Sequence, residues 1–372
     1  MHHLISIISA RCVNKRRLFY ILLGLVLTVV VLYNRGNSPK PKRVSIYPFF
    51  VKPHFNENQW DQLPDLRKIS WPKSPCASIP TGSRFGPYHV VRLPKPLDPV
   101  MSCGQRNVSK QLLKIFTNLM FANGFGDRFM LNGGTLVGSY QHHDLVPWDD
   151  DMDVLVDMTV RPQVLQLLRT LEPEFIINTN SQHDKFYTKI MNSSQLDLDL
   201  PLSRITSNFT WAWPYLDIGY FESNSTHFWD VSNIKKPDKI LIKSLVFPLL
   251  FRPLGTDWYP TPFNALGYMT QIYGSKRGCA VFGYSHVLEG RQPRGRAYCW
   301  SLTRRYAFVK HLLARPNQYV LSEPQWRRQV TVGLEMLFYS TLYGPKILHT
   351  LPIPTVLDAT STNTQLFSYI YI

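Results

Sequence analysis

Residues 146–157 read VPWDDDMDVLVD, and this segment narrows the folds open to the chain more than any other. Asp149, Asp150, Asp151 and Asp153 place four carboxylates within five residues, closed on one side by Val146, Pro147 and Trp148 and on the other by Val154, Leu155 and Val156. Like charges at that density repel unless a cation stands among them. A solvated acidic turn would also relieve them, but the apolar flanks put these carboxylates where the chain enters a core. DMDVLVD alternates carboxylate and aliphatic residues over a strand length, which sets Asp151 and Asp153 on one face. Hard oxygen ligands gathered in this way suit Mg2+ or Mn2+. A calcium loop of the EF-hand type does not fit, because Val154 stands where its glycine is required and no helix–loop–helix frame surrounds it.

The surroundings alternate between helix and strand. Asn107 is placed to cap a helix whose apolar positions Leu112, Ile115, Phe116, Leu119 and Met120 recur at helical spacing and whose stop is Asn123-Gly124. RFMLNGG is a short strand breaking into a glycine turn. A helix is expected from Arg161, with Pro162 in its first turn and Val164, Leu165, Leu168 and Leu171 on one stripe. EFIINTN, KFYTKIMN and YLDIGYF read as strands, and TPFNALGYMTQIYG as a helix with proline near its start. The sum is a mixed α/β domain. After residue 286, YCWSLTRRYAFVKHLLA and EPQWRRQVTVGLEMLFYSTLYG read as helical and carry no recognisable chemistry. Just upstream of the acids, Gly133, Gly134, Thr135, Gly138 and Ser139 lie where backbone amides at a turn and helix start could hold phosphate oxygens.

Residues 18–33, LFYILLGLVLTVVVLY, form an uncharged apolar run long enough for a short membrane span. Positive charge before it directs the N-terminus to the cytosol, and no small-residue cleavage site follows. The expectation is a signal anchor: a cytosolic tail at 1–17, a single span at 18–33, a proline- and lysine-rich lumenal stem with a cysteine-bearing lead-in at 34–106, a catalytic domain at 107–285, and a mainly helical extension of it at 286–372. Eight basic residues (Arg11, Lys15, Arg16, Arg17, Arg35, Lys40, Lys42 and Arg43) surround the span with no acid among residues 1–43, so half of the formal net charge of +16 belongs to this segment. The other half is dispersed and forms no basic run with interleaved aromatics, which argues against nucleic-acid binding.

Of five cysteines, Cys12 precedes the span, and Cys76, Cys103, Cys279 and Cys299 follow it. In an oxidising lumen these four allow two disulfides in three pairings. Without any C-x-x-C pair a zinc site is unsupported. Sequons at Asn107, Asn192, Asn208 and Asn224 accord with a lumenal chain.

Val137-Gly138-Ser139 followed by Asp151-Met152-Asp153-Val154 resembles the pattern of the nucleotidyltransferase superfamily related to DNA polymerase beta. More narrowly, GGTLVGSYQHHDLVPWDDDMDVLV resembles the signature of the LicD, fukutin and fukutin-related family. Lys189-Ile190 with Ser194, then WPYLDIGYF, then VFPLLFRP through PTPFNALGYMTQIYG are similar to further family segments in the same order, covering about 110–285. The resemblance implies a nucleotidyltransferase-like mixed sheet flanked by helices. It also implies transfer of a phosphate-linked group from a CDP-activated donor to a glycan on a glycoprotein or glycolipid, in the Golgi or the ER. By position, Asp149, Asp151 and Asp153 become the metal ligands and catalytic residues, Asp217 the third-strand carboxylate, and Lys189 with the glycine segment the donor contacts. Asp150 falls at a position not always acidic and is given no essential role. Gln141 stands where many members carry arginine, with His142 as the candidate replacement.

Two rival readings share these features. One is a nucleotide-sugar glycosyltransferase with a D-x-D metal site, although there the apolar strand usually precedes the acids and here it follows. The other is a non-catalytic glycan-binding scaffold.

Overall fold

The structure is a computed structural model. It describes residues 65–79, 93–180, 182–188, 210–233, 239–274, 278–313 and 330–356, with isolated pieces at 63, 81, 84–85, 90–91, 320–321 and 365–366. All of them fall in one unit, Pro48–Ile372. The apolar run 18–33, Asn192, Asn208 and Lys189 lie outside the described residues. Among the described residues no helix is long and apolar enough to cross a membrane.

The first α-helix among the described residues, α1 (Cys103–Ala122), begins five residues before the expected start. Ser102 and Gln105 form a reciprocal capping box, satisfying two amide donors at once, and this outcompetes Asn107, which lies inside the helix and is exposed. Asn123 is the C-cap, as expected. Chain order then gives β1 (Phe129–Leu131), α2 (Gly133–His142), β2 (Met152–Asp157), α3 (Arg161–Arg169), β3 (Phe175–Asn178), β4 (His183–Thr188), β5 (Tyr215–Ser223), β6 (His227–Asp230) and β7 (Leu241–Ile242). The hairpin β8 (Leu250–Leu254) and β9 (Asp257–Thr261) follows, then α4 (Ala265–Tyr273), capped by the Asn264 side chain.

Seven of these strands make one mixed sheet in the order β1-β2-β5-β4-β3, with β6 on β5 and β7 on β6. The pair β2–β5 is parallel and its neighbours are antiparallel. The α1 side chains Leu112, Leu113 and Phe116 are fully buried in one core with Phe129, Leu131, Val154, Val156, Ile218 and Tyr220 of the sheet. Truncating such a residue, Phe116→Ala for example, costs about 3–5 kcal/mol.

Residues 278–297 fold as two small antiparallel ladders, β10 (Cys279–Val281) with β13 (Gly295–Ala297) around β11 (Tyr284–Ser285) with β12 (Gly290–Arg291). The Cys279–Cys299 disulfide closes this loop, and Cys76–Cys103 ties the lead-in to the start of α1, which settles the pairing.

The mainly helical extension expected over 286–372 is corrected. Apart from the small ladders above and a four-residue α-helix at Cys299–Leu302, the described regular structure is a five-stranded antiparallel sheet of β14 (Phe308–Leu313), β15 (Val320–Leu321), β16 (Val330–Thr341), β17 (Gly344–Val356) and β18 (Gln365–Leu366). Residues 330–341 and 344–356 pair over their whole length around a turn at Leu342-Tyr343, with Gly344 at φ 116°. Period and propensity conflict in VTVGLEMLFYST, and the long ladder decides for strand.

A buried polar network joins this sheet to α2 and β8. Glu335 accepts from Arg252 at 2.8 and 2.6 Å, and its oxygens stand 2.8 Å from His143 Nε2 and 3.0 Å from His311 Nδ1. His143 Nδ1 lies 2.9 Å from His349 Nε2, whose Nδ1 meets Ser70 O at 2.8 Å. Burial alone would raise the Glu335 carboxyl, but Arg252 and His311 hold it well below the ordinary range.

Candidate active site

The parallel pair β2–β5 sets Asp153 opposite Asp217, and β4 sets Lys185 opposite Asp217 from the other side. Residues in register share a face, so a carboxylate, a carboxylate and an ammonium stand on three adjacent strands. Asp151, just before β2, joins them by the two-residue strand period. One oxygen from each of Asp151, Asp153 and Asp217 lies within 4.8 Å of the other two. Asp150, Asp151 and His286 form a second such group. Asp149 belongs to neither.

Asp149 presses on the N-terminus of α2, and Asp153 does so too. A Cβ at Gly134 would lie 1.7 Å from Asp149 Oδ2, and one at Gly133, where φ is 54°, 2.0 Å from Asp153 Oδ2. Both positions therefore require glycine, and the positive end of the helix faces the two acids. Thr135 Oγ1 accepts from Asp153 N at 2.8 Å, which fixes the turn into β2. The structure thus brings Gly133, Gly134 and Thr135 to the acids, where the nearest anions are the protein's own. It does not bring Gly138 and Ser139 there. A Cβ at Gly138 would meet the backbone of Asp144 and Val146 at 2.4 and 2.8 Å, and buried Ser139 donates to Pro253 O at 2.8 Å. Gln141 is buried on α2, and His142 packs against Trp148 and Phe308 with Nδ1 2.7 Å from Ala307 O, so the candidate replacement for arginine is a core side chain.

Asp150, given no essential role above, anchors a loop. Its oxygens accept from Ser285 Oγ at 2.9 Å, His286 N at 2.9 Å and Val287 N at 3.4 Å, and meet His286 Nδ1 at 2.8 Å. Trp213 Nε1 donates to the Asp150 carbonyl at 2.5 Å. On the approach to the acids, fully buried Arg106 donates to the carbonyls of Leu145 and Val146 and pairs with Asp144 at 3.3 Å, and Trp148 Nε1 donates to Ala280 O at 3.0 Å. Those contacts hold the acidic segment from behind.

Electrostatics follows from burial and crowding. Burial, then the charges of Asp150 and Asp153, pushes the Asp149 carboxyl up to about 7. Burial raises Asp151 and Asp153 well above the usual carboxylate range, with their acidic neighbours adding to it. Asp217 goes the other way. Burial would raise it, but His183 at 3.1 Å and Lys185 at 3.1 Å outweigh that and hold it low. Burial would lower His286, but Asp151 and Asp150 raise it well above its ordinary value. So much negative charge in a partly closed site, presented by oxygen donors, fits a divalent cation.

A wall of hydroxyls and rings completes the site. Lys185 Nζ sits 3.8 Å above the Tyr215 ring and 5.2 Å above Trp211, and both rings donate to Glu289 Oε1 at 2.7 Å. Sequence reasoning missed His183, Lys185, His286 and Glu289. The first two alternate on HDKFYT beside a strand that carries Asp217, so a strand-period reading could have found them. His286 and Glu289 come from a distant loop and left no local signal.

A mixed sheet thus presents carboxylates from adjacent parallel strands beside a helix N-terminus, with a lysine across from them. Residues 126–264 match the family model described as LicD/FKTN/FKRP, nucleotidyltransferase domain, which supports the LicD/fukutin resemblance over that span and a phosphotransferase-like family in general. No curated protein matches the chain.

Proposed function

We propose that the chain transfers a phosphate-linked group, of the polyol phosphate, sugar phosphate or phosphocholine type, from a CDP-activated donor to a glycan of a glycoprotein or glycolipid. The observation that carries this reading is the convergence of Asp151, Asp153 and Asp217 within 4.8 Å, with Lys185 3.1 Å from Asp217. A Mg2+ or Mn2+ ion held by these three carboxylates would neutralise anionic donor oxygens and leave phosphorus open to attack. Lys185 adds a point charge for the donor phosphates, and His183 and Lys185, by occupying both oxygens of Asp217, orient it as a ligand. His286 orients Asp151 from the opposite side. Asp149 is half-buried and outside both ligand groups, which leaves it to accept the proton of the acceptor hydroxyl. The hydroxyl oxygen forms a bond to the donor phosphorus, the bond from that phosphorus to the bridging oxygen breaks, and CMP departs with that oxygen.

We place the enzyme in the Golgi or ER membrane, anchored by residues 18–33 with its catalytic part in the lumen. Two disulfides and exposed sequons at Asn107 and Asn224 support an oxidising, glycosylating compartment.

The test is mass spectrometry of glycan acceptors incubated with the full-length chain and CDP-polyol, CDP-choline or UDP-sugar donors, with metal or with chelator. The expected result is CMP release and a phosphate-bearing product that needs metal and is abolished by Asp151→Asn. Turnover of a UDP-sugar alone would overturn the reading in favour of a glycosyltransferase, and glycan binding without any turnover would favour a scaffold.

A further inference from the structure

A cleft of ≈ 460 Å3 opens beside the lead-in, and none of the acid-cluster residues lines it. Lys73, Arg304, Arg305 and Lys346 converge on it from the lead-in, the turn before β14, and β17, with Trp71 and Tyr339 as half-buried aromatic walls and buried Tyr306 beneath Arg305 at 5.1 Å. All four basic side chains are exposed. Arg305 pairs with Asp98 at 2.5 Å, and Lys346 lies 5.8 Å from the Tyr339 ring. Lys73 and Arg304 have no hydrogen-bond or ion-pair partner among the described residues. One carboxylate, Asp144, reaches the lining, and its oxygens already hold Lys110 at 2.6 Å and Arg106 at 3.3 Å. The cleft therefore gathers positive charge, and at Lys73 and Arg304 that charge has no counter-charge among the described residues.

The chemistry of the walls narrows the ligand. Arginine pairs with planar or tetrahedral anions through two parallel N–H donors, and indole and phenol rings offer apolar faces with a polar edge. Such faces match the C–H faces of a sugar ring, while the cations match groups attached to it. An inorganic anion would use the cations and leave the rings idle. A neutral sugar would use the rings and leave the cations unpaired.

We propose that this cleft is a second binding site, for an anionic saccharide bearing phosphate or sulfate. It goes beyond the transfer reaction and does not depend on it. The test is isothermal titration of the full-length chain with glucose 6-phosphate, a heparin tetrasaccharide, neutral cellotetraose and inorganic phosphate. Binding of a charged saccharide at least tenfold tighter than of cellotetraose or inorganic phosphate is expected, and the stronger of the two charged probes tells phosphate from sulfate. The double variant K73E/R304E, or the milder K73A/R304A should the first misfold, weakens that binding at least tenfold. Asp151→Asn leaves it unchanged, which keeps the result separate from the fate of the catalytic proposal. Equal binding of inorganic phosphate or neutral sugar, absence of binding, insensitivity to both double variants, or loss in Asp151→Asn would each overturn the assignment.

Discussion

His286 Nε2 stands 3.2 Å from Asp151 Oδ2, while the other ring nitrogen is fixed by Asp150. The carboxylate proposed as a metal ligand is thereby aimed by a side chain that arrives from 135 residues further along the chain. Replacing His286 with Gln leaves the carboxylates in place and removes their aim. Partners of this kind typically govern 10–100-fold in metal affinity or activity. The expected outcome is a metal requirement shifted upward by about that factor, read from activity against Mg2+ or Mn2+ concentration. An unshifted curve would show that Asp151 needs no such support.

Gly134→Ala places a methyl group within bonding range of Asp149 Oδ2. Activity should be lost, because Asp149 must move. Gly124→Ala is the control. Nothing lies within 4 Å of its Cβ, so strain at φ 76° is its main effect and it should cost only about 1 kcal/mol. Thermal melts and turnover of the two variants separate local displacement from backbone strain.

Metal should stabilise the protein more at pH 8 than at pH 6. Asp149, with its carboxyl raised to about 7 in the folded chain, contributes stability below its unfolded value near 3.8 and loses it as pH rises through 7. At pH 8 Asp149 is charged and repels its acidic neighbours, and a cation relieves that repulsion. At pH 6 protons do part of that work. The quantity to measure is the gain in Tm on adding Mg2+ or Mn2+ at each pH, since effects of distant histidines cancel in the difference. An equal or larger gain at pH 6 would refute the crowding argument.

Glu335→Gln removes the charge that Arg252, His143 and His311 share. Breaking one side of a buried pair typically costs about 3–5 kcal/mol, and the Tm should fall by several degrees. Activity below the new Tm should persist, because this network lies behind α2 and away from the acids. Loss of activity in a fully folded variant would place it in the catalytic machinery.

Joint replacement of Cys279 and Cys299 by Ser opens a loop of 20 residues, worth about 3 kcal/mol by chain entropy. The same loop carries Ser285, His286 and Val287 onto Asp150. Activity should therefore decline at temperatures where circular dichroism still reports a folded chain. Parallel loss of both signals would mean that the bridge acts on global stability alone.

The acidic strand was legible because two periods agreed in it: carboxylates alternated with aliphatics, and apolar residues bounded both ends. The register of Asp153 with Asp217 could not be read in the same way, since strand pairing depends on contacts absent from local pattern. Ser102-x-x-Gln105 is present in the sequence as a capping box, but Asn107 is also a capping residue type before the apolar period, and only the reciprocal bonds of Ser102 and Gln105 decide between them. The C-terminal sheet was misread for a physical reason. Short apolar runs such as FVKHLL satisfy helix and strand periods alike, and only the long pairing of 330–341 with 344–356 resolves them. Asp150 was undervalued because its worth lies in four contacts with residues 285–287, a separation that no window along the chain spans.

The family match stops at residue 264, yet the imidazole that steadies Asp151 and the carboxylate that receives Tyr215 both lie past it. A fragment cut to the matched span would keep every aspartate of the motif and still lack the parts that hold one of them in position. For this chain, the span that holds the acid cluster in place is longer than its recognisable signature, and downstream substitutions will disturb that cluster without falling in the motif.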